Sequence, residues 1–445
     1  MPNLVNKLPQ YPNDSGWFNS LPERQTQPVL SADIKADALI LGAGFAGLSA
    51  AHRLAELKPD WHIVMVDALS IGMASSGRNS GFMIDLPHTL DSDSYTSSDV
   101  GVNAADQQII NVNRCAIDYG RALVQRYGFD CDWSETGKIH AAATAQGAKS
   151  HTAFMRGLDA LGEAYTPLTG EQMQSVTGID YYHSGVHTPG TVALQPAAFV
   201  RGLADNLPAN VSLYENTPIT AYEWGQPHRL QTPHANIQAD KVLLCNNGFA
   251  GMFGFSKSNL LPIMLFASMT KVMSEQQQTL LGGEKQWGLV PSHPAGATIK
   301  RTADQRLVVR TGIKSGYKMR YDQGVIDGLK DMHRQSYMRR FGKQLPELEF
   351  EFSWGGLLCL TRNEGTLFGT LGNNLYGAVC QNGLGVARGT ASGKLIAEHV
   401  AGFDSEVLRK HLQSPKPAWM PPHPISTMGV MGNIWRHESH AGAEA

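Results

Sequence analysis

The hydrophobic and polar positions of this chain fall into a few repeated patterns. Short unbroken apolar runs predict strands buried on both faces: "ALILGAG" from Ala38 and "HIVMVDA" over 62–68. Between them, "FAGLSAAHRLAEL" carries its apolar residues at helical spacing, so 38–68 reads as a β-α-β unit. Helical spacing recurs over 104–127 and over 196–208, where Pro196 suits a first turn. "GKIHAAAT" (137–144), "VSLYENTPITAYEW" (211–224), "ADKVLLCNNGF" (239–249), the start of "RLVVRTGIKSGYKMR" (306–320) and "EFEFSWGGLLCLT" (349–361) read as strands. "LYGAVCQNGLGVARGTASGKLIAEHVAG" (375–402) is strand, glycine turn and helix, a second unit of the first type. "LLPIMLFASM" (260–269) is too short to cross a bilayer and reads as a buried strand, with a peripheral membrane contact as the alternative. Five prolines in residues 1–30 predict an arm lying over the surface, and 414–425 is again proline-rich.

Length then sets the scale. At 445 residues the chain exceeds one ordinary core and predicts two or three domains, or an interleaved pair. A net charge of -2 gives no footprint for nucleic acid and no polybasic membrane patch. Five scattered cysteines without a C-x-x-C show no zinc or redox motif. With no signal-peptide pattern and no transmembrane segment, the expected location is cytoplasmic, or peripheral at the inner membrane face.

The chemistry lies in the glycine clusters. Gly42-x-Gly44-x-x-Gly47 sits between a strand and a helix. The first glycine permits the tight turn, the second a close approach to pyrophosphate, and the third the packing of helix on strand. Phe45 and Ala46 open the helix, whose free N–H groups favour phosphate. Asp67 ends the second strand twenty residues past Gly47, where a carboxylate can accept ribose hydroxyls. The pattern predicts a bound dinucleotide and does not by itself separate NAD from FAD. "SSGRNSG" (75–81) follows as a loop of small residues able to lie along a long ligand. Ser75 and Ser76 offer hydroxyls to phosphate, Arg78 a fixed charge, Asn79 a donor and acceptor, and Gly81 bare backbone to a flat ring. The alternative for Arg78 is a structural ion pair. About 300 residues later, the backbone of Gly383, Leu384 and Gly385 at a helix start would suit a site where negative charge builds up.

These motifs, with "VALQPAAFVRGLA" and "SWGGLLCLTRNEGTLFG", resemble the D-amino-acid oxidase superfamily of FAD-dependent oxidoreductases. Its gamma-glutamylputrescine oxidase-like branch is the most similar. The resemblance implies an α/β (α+β) fold: a Rossmann-like FAD-binding domain interleaved with a substrate domain on a mixed, largely antiparallel sheet. The implied parts are an arm (1–30), an FAD domain (31–99, 191–258, 354–412), a substrate domain (100–190, 259–353) and a tail (413–445). Gly42, Gly44, Gly47 and Asp67 would hold the ADP half, and Ile219 the adenine. Ser76, Arg78, Asn79, Ser80 and Gly81 would run along the pyrophosphate and ring, with Asn247 nearby. Asn382, Gly383, Leu384, Gly385 and Val386 would cover the flavin N1 edge. The implied reaction passes hydride from the carbon beside an amine to flavin N5, leaving an imine that hydrolyses. Thr361-Arg362-Asn363 replaces the family's T-x-D, and Leu384 replaces its histidine, so only the backbone role carries over there. Cys359 stands too close to Asn363 to match the covalent flavin attachment of sarcosine oxidases, so FAD is expected to be non-covalent.

An amino-acid substrate needs a cation for its carboxylate. Arg310 and Arg320 flank an expected substrate-domain strand, Tyr317 could close the site, and Met83 and Trp354 could wall the ring. No general base is nominated. The electron acceptor is expected to be oxygen or a respiratory carrier. A hydroxy-acid or sugar-phosphate dehydrogenase, an NAD-dependent enzyme and a non-catalytic flavoprotein are the competing readings.

Overall fold

A computed structural model describes residues 2–87 and 104–445, with the side chains of 104 and 105 left aside. The expected boundary at residues 99–100 lies outside the described residues. Two large sheets divide the chain. The first has nine strands, among them Asn236–Leu244, Ile34–Leu41, Ile63–Val66 and Val211–Tyr214 side by side and parallel. Ile63, Val64, Met65 and Val66 are at most 2% exposed, which explains their unbroken apolar run: helices cover one face of the sheet and loops the other. The helices Phe45–Leu57 and Gly385–Ala401 pack against each other. A Cβ on Gly393 would lie 2.0 Å from the carbonyl oxygen of Ala46, so this contact requires glycine. The two glycine units from opposite ends of the chain therefore meet.

The second sheet has eight strands in the order Phe350–Leu360, Leu261–Thr270, Leu307–Ser315, Thr298–Arg301, Trp287–Pro291, Lys138–Ala142, Ser184–Thr188 and Thr166–Thr169. All its pairings are antiparallel except Trp287–Pro291 with Lys138–Ala142. The fold is thus the Rossmann-like domain interleaved with a largely antiparallel sheet. The "LLPIMLFASM" segment is a central strand of that sheet, flanked on both sides.

Four details differ from expectation. The strand Phe350–Leu360 belongs wholly to the second sheet, so the chain changes sheets near 361 rather than at 354. The run 211–224 is two strands, broken where Glu215 turns inward to accept from Arg24, Gln27 and Ile71. The arm is more than a surface strip: Asn3–Leu4 pairs with Ala221–Tyr222, and Trp17 is 2% exposed. Residues 413–445 contain a helix, Ile425–Ala441, and an anchored end. There Glu444 accepts from the N–H groups of Ala143 and Thr144, and Arg340 donates to the carbonyls of Glu444 and Ala445.

Candidate functional site

Strand Ile34–Leu41 ends in the turn that starts the site. Gly42 has φ +99°, and a Cβ there would stand 2.9 Å from the Cys245 carbonyl oxygen. At Gly47 a Cβ would fall 1.8 Å from the Gly42 carbonyl oxygen. Gly44, in extended conformation, is the N-cap of the helix and faces Ser76. Asp67 joins this turn to the next strand: its Oδ2 accepts from the Ala43 N–H (2.8 Å) and its Oδ1 from the Leu69 N–H (2.9 Å). Burial in the cleft raises its pKa to about 6, against the lowering effect of those bonds.

The loop 75–81 is tied down on every side. Ser75 donates to the Leu357 carbonyl (2.7 Å), Ser15 to that of Gly77 (2.6 Å), and Trp17 to that of Asn79 (2.7 Å). Asn79 closes on its own loop through Ser76 and the N–H of Gly81. Gly81 has φ +70°, and Lys300 Nζ donates to its carbonyl (3.0 Å) and to that of Leu194 (2.8 Å). Arg78 borders the cavity and is also bonded to the backbone around it. Its Nε donates to Met73 (2.6 Å), Nη1 to Gly355 (3.1 Å) and Tyr321, and Nη2 to Asn13, while Tyr11 lies under the guanidinium at 4.0 Å. Its guanidinium thus ties together carbonyls drawn from the arm, the loop and the second sheet, with no carboxylate in ion-pair range among the described residues.

The second glycine cluster is also held in a strained turn: Cys380, Asn382 and Gly383 have positive φ. Gly383, Gly385 and Val386 border the cavity at the start of Gly385–Ala401, and no atom lies within 4 Å of a Cβ placed on either glycine. Asn382 and Leu384 do not border it. The Asn382 amide instead accepts from Thr361 N–H (2.8 Å) and donates to Glu364 and Gly365, which fixes the turn. Thr361-Arg362-Asn363 thereby acts as a brace.

One cavity of about 320 Å³ joins these parts. Gly42, Gly44, Phe45, Ala46, Asp67, Ser75, Ser76, Asn79, Ser80, Ile219 and Asn247 line it, and it reaches Leu265, Val290, Thr298 and Arg310 on the second sheet. Arg310 is the one substrate candidate that borders it. Met83 and Trp354 are core residues: Met83 sits under Gly120, and Trp354 packs edge-on against Trp17 and donates to the Arg78 carbonyl (3.1 Å). Tyr317 is exposed and stacks on His423, and Arg320 is exposed, both away from the cavity. Sequence reasoning missed Asn246, Lys300, Tyr11 and Trp17. The signal for Asn246 was present, since it lies two residues past the strand Asn236–Leu244, which pairs with Ile34–Leu41.

Residues 37–399 match the family described as DAO, FAD dependent oxidoreductase. The chain belongs to that family. It is 26% identical over 418 residues to a probable oxidoreductase OrdL of Rhizobium meliloti, covering 92% of this chain and 93% of the relative. It is 25% identical over 404 residues to the gamma-glutamylputrescine oxidoreductase of Escherichia coli, covering 84% and 85%. Among solved structures it resembles glycine oxidase from Geobacillus kaustophilus, with a TM-score of 0.67, 17% identity and coverage of 84% and 96%. FAD is the cofactor of the DAO family, and the cavity fits it. Two helix N-termini point into one cleft, glycines at 44, 383 and 385 leave a cradle that a Cβ would fill, and both polar atoms of the buried Asn246 amide lack a protein partner. No helix among the described residues is long and apolar enough to cross a membrane.

Proposed function

We propose that this DAO family member oxidises the carbon–nitrogen bond of an amine or amino acid. FAD supplies the two-electron acceptor when bound. The observation that carries the reading is the continuous cavity, from Asp67 at one end to an apolar pocket on the second sheet at the other. Phe82, Ile84, Val290 and Ala267 wall that pocket. An ammonium placed there loses hydration, so its pKa falls and the neutral amine, the form able to release hydride, gains. The product imine hydrolyses in water. In the same reading Gly42, Gly44, Gly47 and Asp67 hold the ADP half and Ile219 the adenine. The small loop 75–81 flanks the pyrophosphate, with Arg78 as its clamp, and the backbone at Gly383 and Gly385 faces the ring. Cys359 is fully buried beside Cys380, with its thiol pKa raised well above the usual value, which supports non-covalent attachment.

Anaerobic mixing with amines, amino acids and hydroxy acids tests this reading. Amines or amino acids should bleach the flavin and release ammonia or an amine on turnover. Bleaching by hydroxy acids alone would favour the alcohol dehydrogenase reading, and bleaching by nothing would favour a non-catalytic flavoprotein.

Asp67 gives a pH prediction. A carboxylate accepts two ribose hydroxyls better than its protonated form, and in the free protein it protonates near pH 6. FAD affinity should therefore be level above about pH 7 and fall as pH drops through 6, by up to about tenfold per unit. Asp67→Asn should bind FAD about tenfold more weakly at pH 8 and lose the pH dependence, read by flavin fluorescence titration.

A further inference from the structure

We infer that a second face of the protein, built from the arm, residues 248–263 and the tail, docks on a lipid bilayer that carries anionic headgroups. The inference does not depend on the reaction.

A second cavity, of about 520 Å³, opens on this face. Its floor is apolar, with Ile263, Met319 and Met420 buried there, and Leu4, Lys257 and Tyr317 stand exposed at its rim. The segments around it are locked together. The Met420 N–H donates to the Ser258 carbonyl (2.9 Å), the Asn259 amide to that of Pro417 (2.8 Å), and the His423 ring stacks on Tyr317 at 3.7 Å. The arm is held by the pairing of Asn3–Leu4 with Ala221–Tyr222. The face is thus one fixed surface.

Its charge is one-sided. Apart from Tyr222, every residue lining the cavity comes from 1–13, 241–274, 305–321 or 407–437. These segments hold none of the chain's 39 aspartates and glutamates. They bring Lys7 and Lys257 to the cavity, and Lys314, Lys318 and Arg320 lie exposed on either side of Tyr317 in the chain. The net charge of -2 conceals this separation.

Beside the cations lies exposed apolar surface. In the helix Ile425–Ala441, Ile425, Met428, Gly432 and Trp435 follow at i, i+3, i+7 and i+10, which is one stripe. Ile425, Met428 and Trp435 are 63%, 71% and 72% exposed, and Trp419, just before the helix, is 61% exposed. A helix stripe facing water ordinarily carries charge, and this one has none. Tryptophan beside apolar and basic residues suits the boundary between headgroups and hydrocarbon. A lipid presents anionic charge and hydrocarbon side by side, as this face requires. An acidic protein supplies the charge without the hydrocarbon, and a second copy packed face to face brings like charge against like. Lys7 and Gly248 border both cavities, so the docked face adjoins the cofactor cavity.

The test is flotation of the full-length, FAD-loaded protein with vesicles of phosphatidylcholine alone or mixed with phosphatidylglycerol. The protein should float with the mixed vesicles and not with phosphatidylcholine, and high salt should release it. Lys257→Glu should weaken binding about twentyfold. Met428→Ser with Trp435→Ser should weaken it about a hundredfold. All three side chains are exposed, so FAD content and melting temperature should stay as in the wild type. Bromine-labelled acyl chains should quench tryptophan fluorescence in the wild type, and Trp419→Phe with Trp435→Phe should lose that quenching while still floating. No flotation, equal flotation with both vesicle types, or unchanged flotation of both the Lys257→Glu and the double serine variants would each overturn the inference. Polyglutamate bound as tightly as the mixed vesicles would assign the face to an acidic protein instead. A lipid-free dimer that the double serine variant breaks, in a protein that does not float, would assign it to a second copy.

Discussion

Gly47→Ala is expected to yield a protein that no longer takes up FAD and unfolds well below the wild type. The new methyl carbon would fall 1.8 Å from the Gly42 carbonyl oxygen, and 3.4 Å from Ile40. The clashing atom is backbone, so no side-chain rotation relieves it. Either the helix Phe45–Leu57 shifts or the turn opens. The helix is held from behind, because Gly393 lies against the Ala46 carbonyl and allows no movement toward Gly385–Ala401. The turn is held in front by the bond from Ala43 to Asp67 and by the close approach of Gly42 to Cys245. Overpacking typically costs about 1–3 kcal/mol, and a backbone clash that nothing relieves belongs at the upper end of that range. The movement also displaces the helix N-terminus and breaks the Ala43–Asp67 bond, so the geometry for pyrophosphate and ribose goes together. Thermal melting with and without added FAD reads both effects: a lowered melting point that FAD no longer raises. Gly44→Ala is the control, since a Cβ there meets only Ser76, at 3.7 Å. It should fold normally and lose FAD affinity alone. A Gly47→Ala protein that stays yellow with an unchanged melting point would refute the packing argument.

Much of this arrangement is legible along the chain because it is local. The β-α-β spacing, the glycines and Asp67 all lie within thirty residues, and the physical demand on each is set by near neighbours. The meeting of the two glycine units was legible too, since each ends a buried strand and opens a helix. Roles that depend on long-range partners were not. Arg78 stands in a loop that looks made for phosphate, and nothing local shows that Asn13 and Gly355, far away in sequence, also take its donors. Trp354 and Met83 look like ring walls because size and apolarity do not say which side of a sheet or loop faces the ligand. Asn382 sits in the glycine motif, yet its amide is turned back to Thr361. Lys300 is a surface-type residue by composition, and only strand register puts it beneath Gly81, between Trp17 and Phe82. The prolines of the arm suggest a surface strip, although Trp17 and Ser15 are among the residues that fix the loop.

Arg78→Ala should destabilise the fold and loosen FAD together, and Arg78→Lys should not rescue either. The guanidinium joins three parts of the chain at once: Asn13 of the arm, Met73 of the loop's own approach, and Gly355 of the second sheet. Removing it takes this donor from three buried or half-buried carbonyls, of which Gly355 still accepts from the Tyr321 hydroxyl, and exposes the face of Tyr11. Each unsatisfied carbonyl costs roughly 1–3 kcal/mol, so the loss at Met73 and Asn13 is on the order of 3 kcal/mol after partial relaxation. Lysine keeps the charge, but one ammonium on a flexible stem cannot reach three carbonyls set in different directions. That distinction separates a clamp from a phosphate ligand. A point charge serving pyrophosphate would be largely replaced by lysine, with the melting point of the FAD-free protein unchanged in both variants. A clamp predicts that the FAD-free melting point falls in both, that FAD affinity falls in step with it, and that the salt dependence of FAD binding stays as in the wild type. Melting curves of the apo proteins, combined with FAD titrations at two ionic strengths, decide the matter. Lysine rescue with an unshifted apo melting point would return Arg78 to the phosphate.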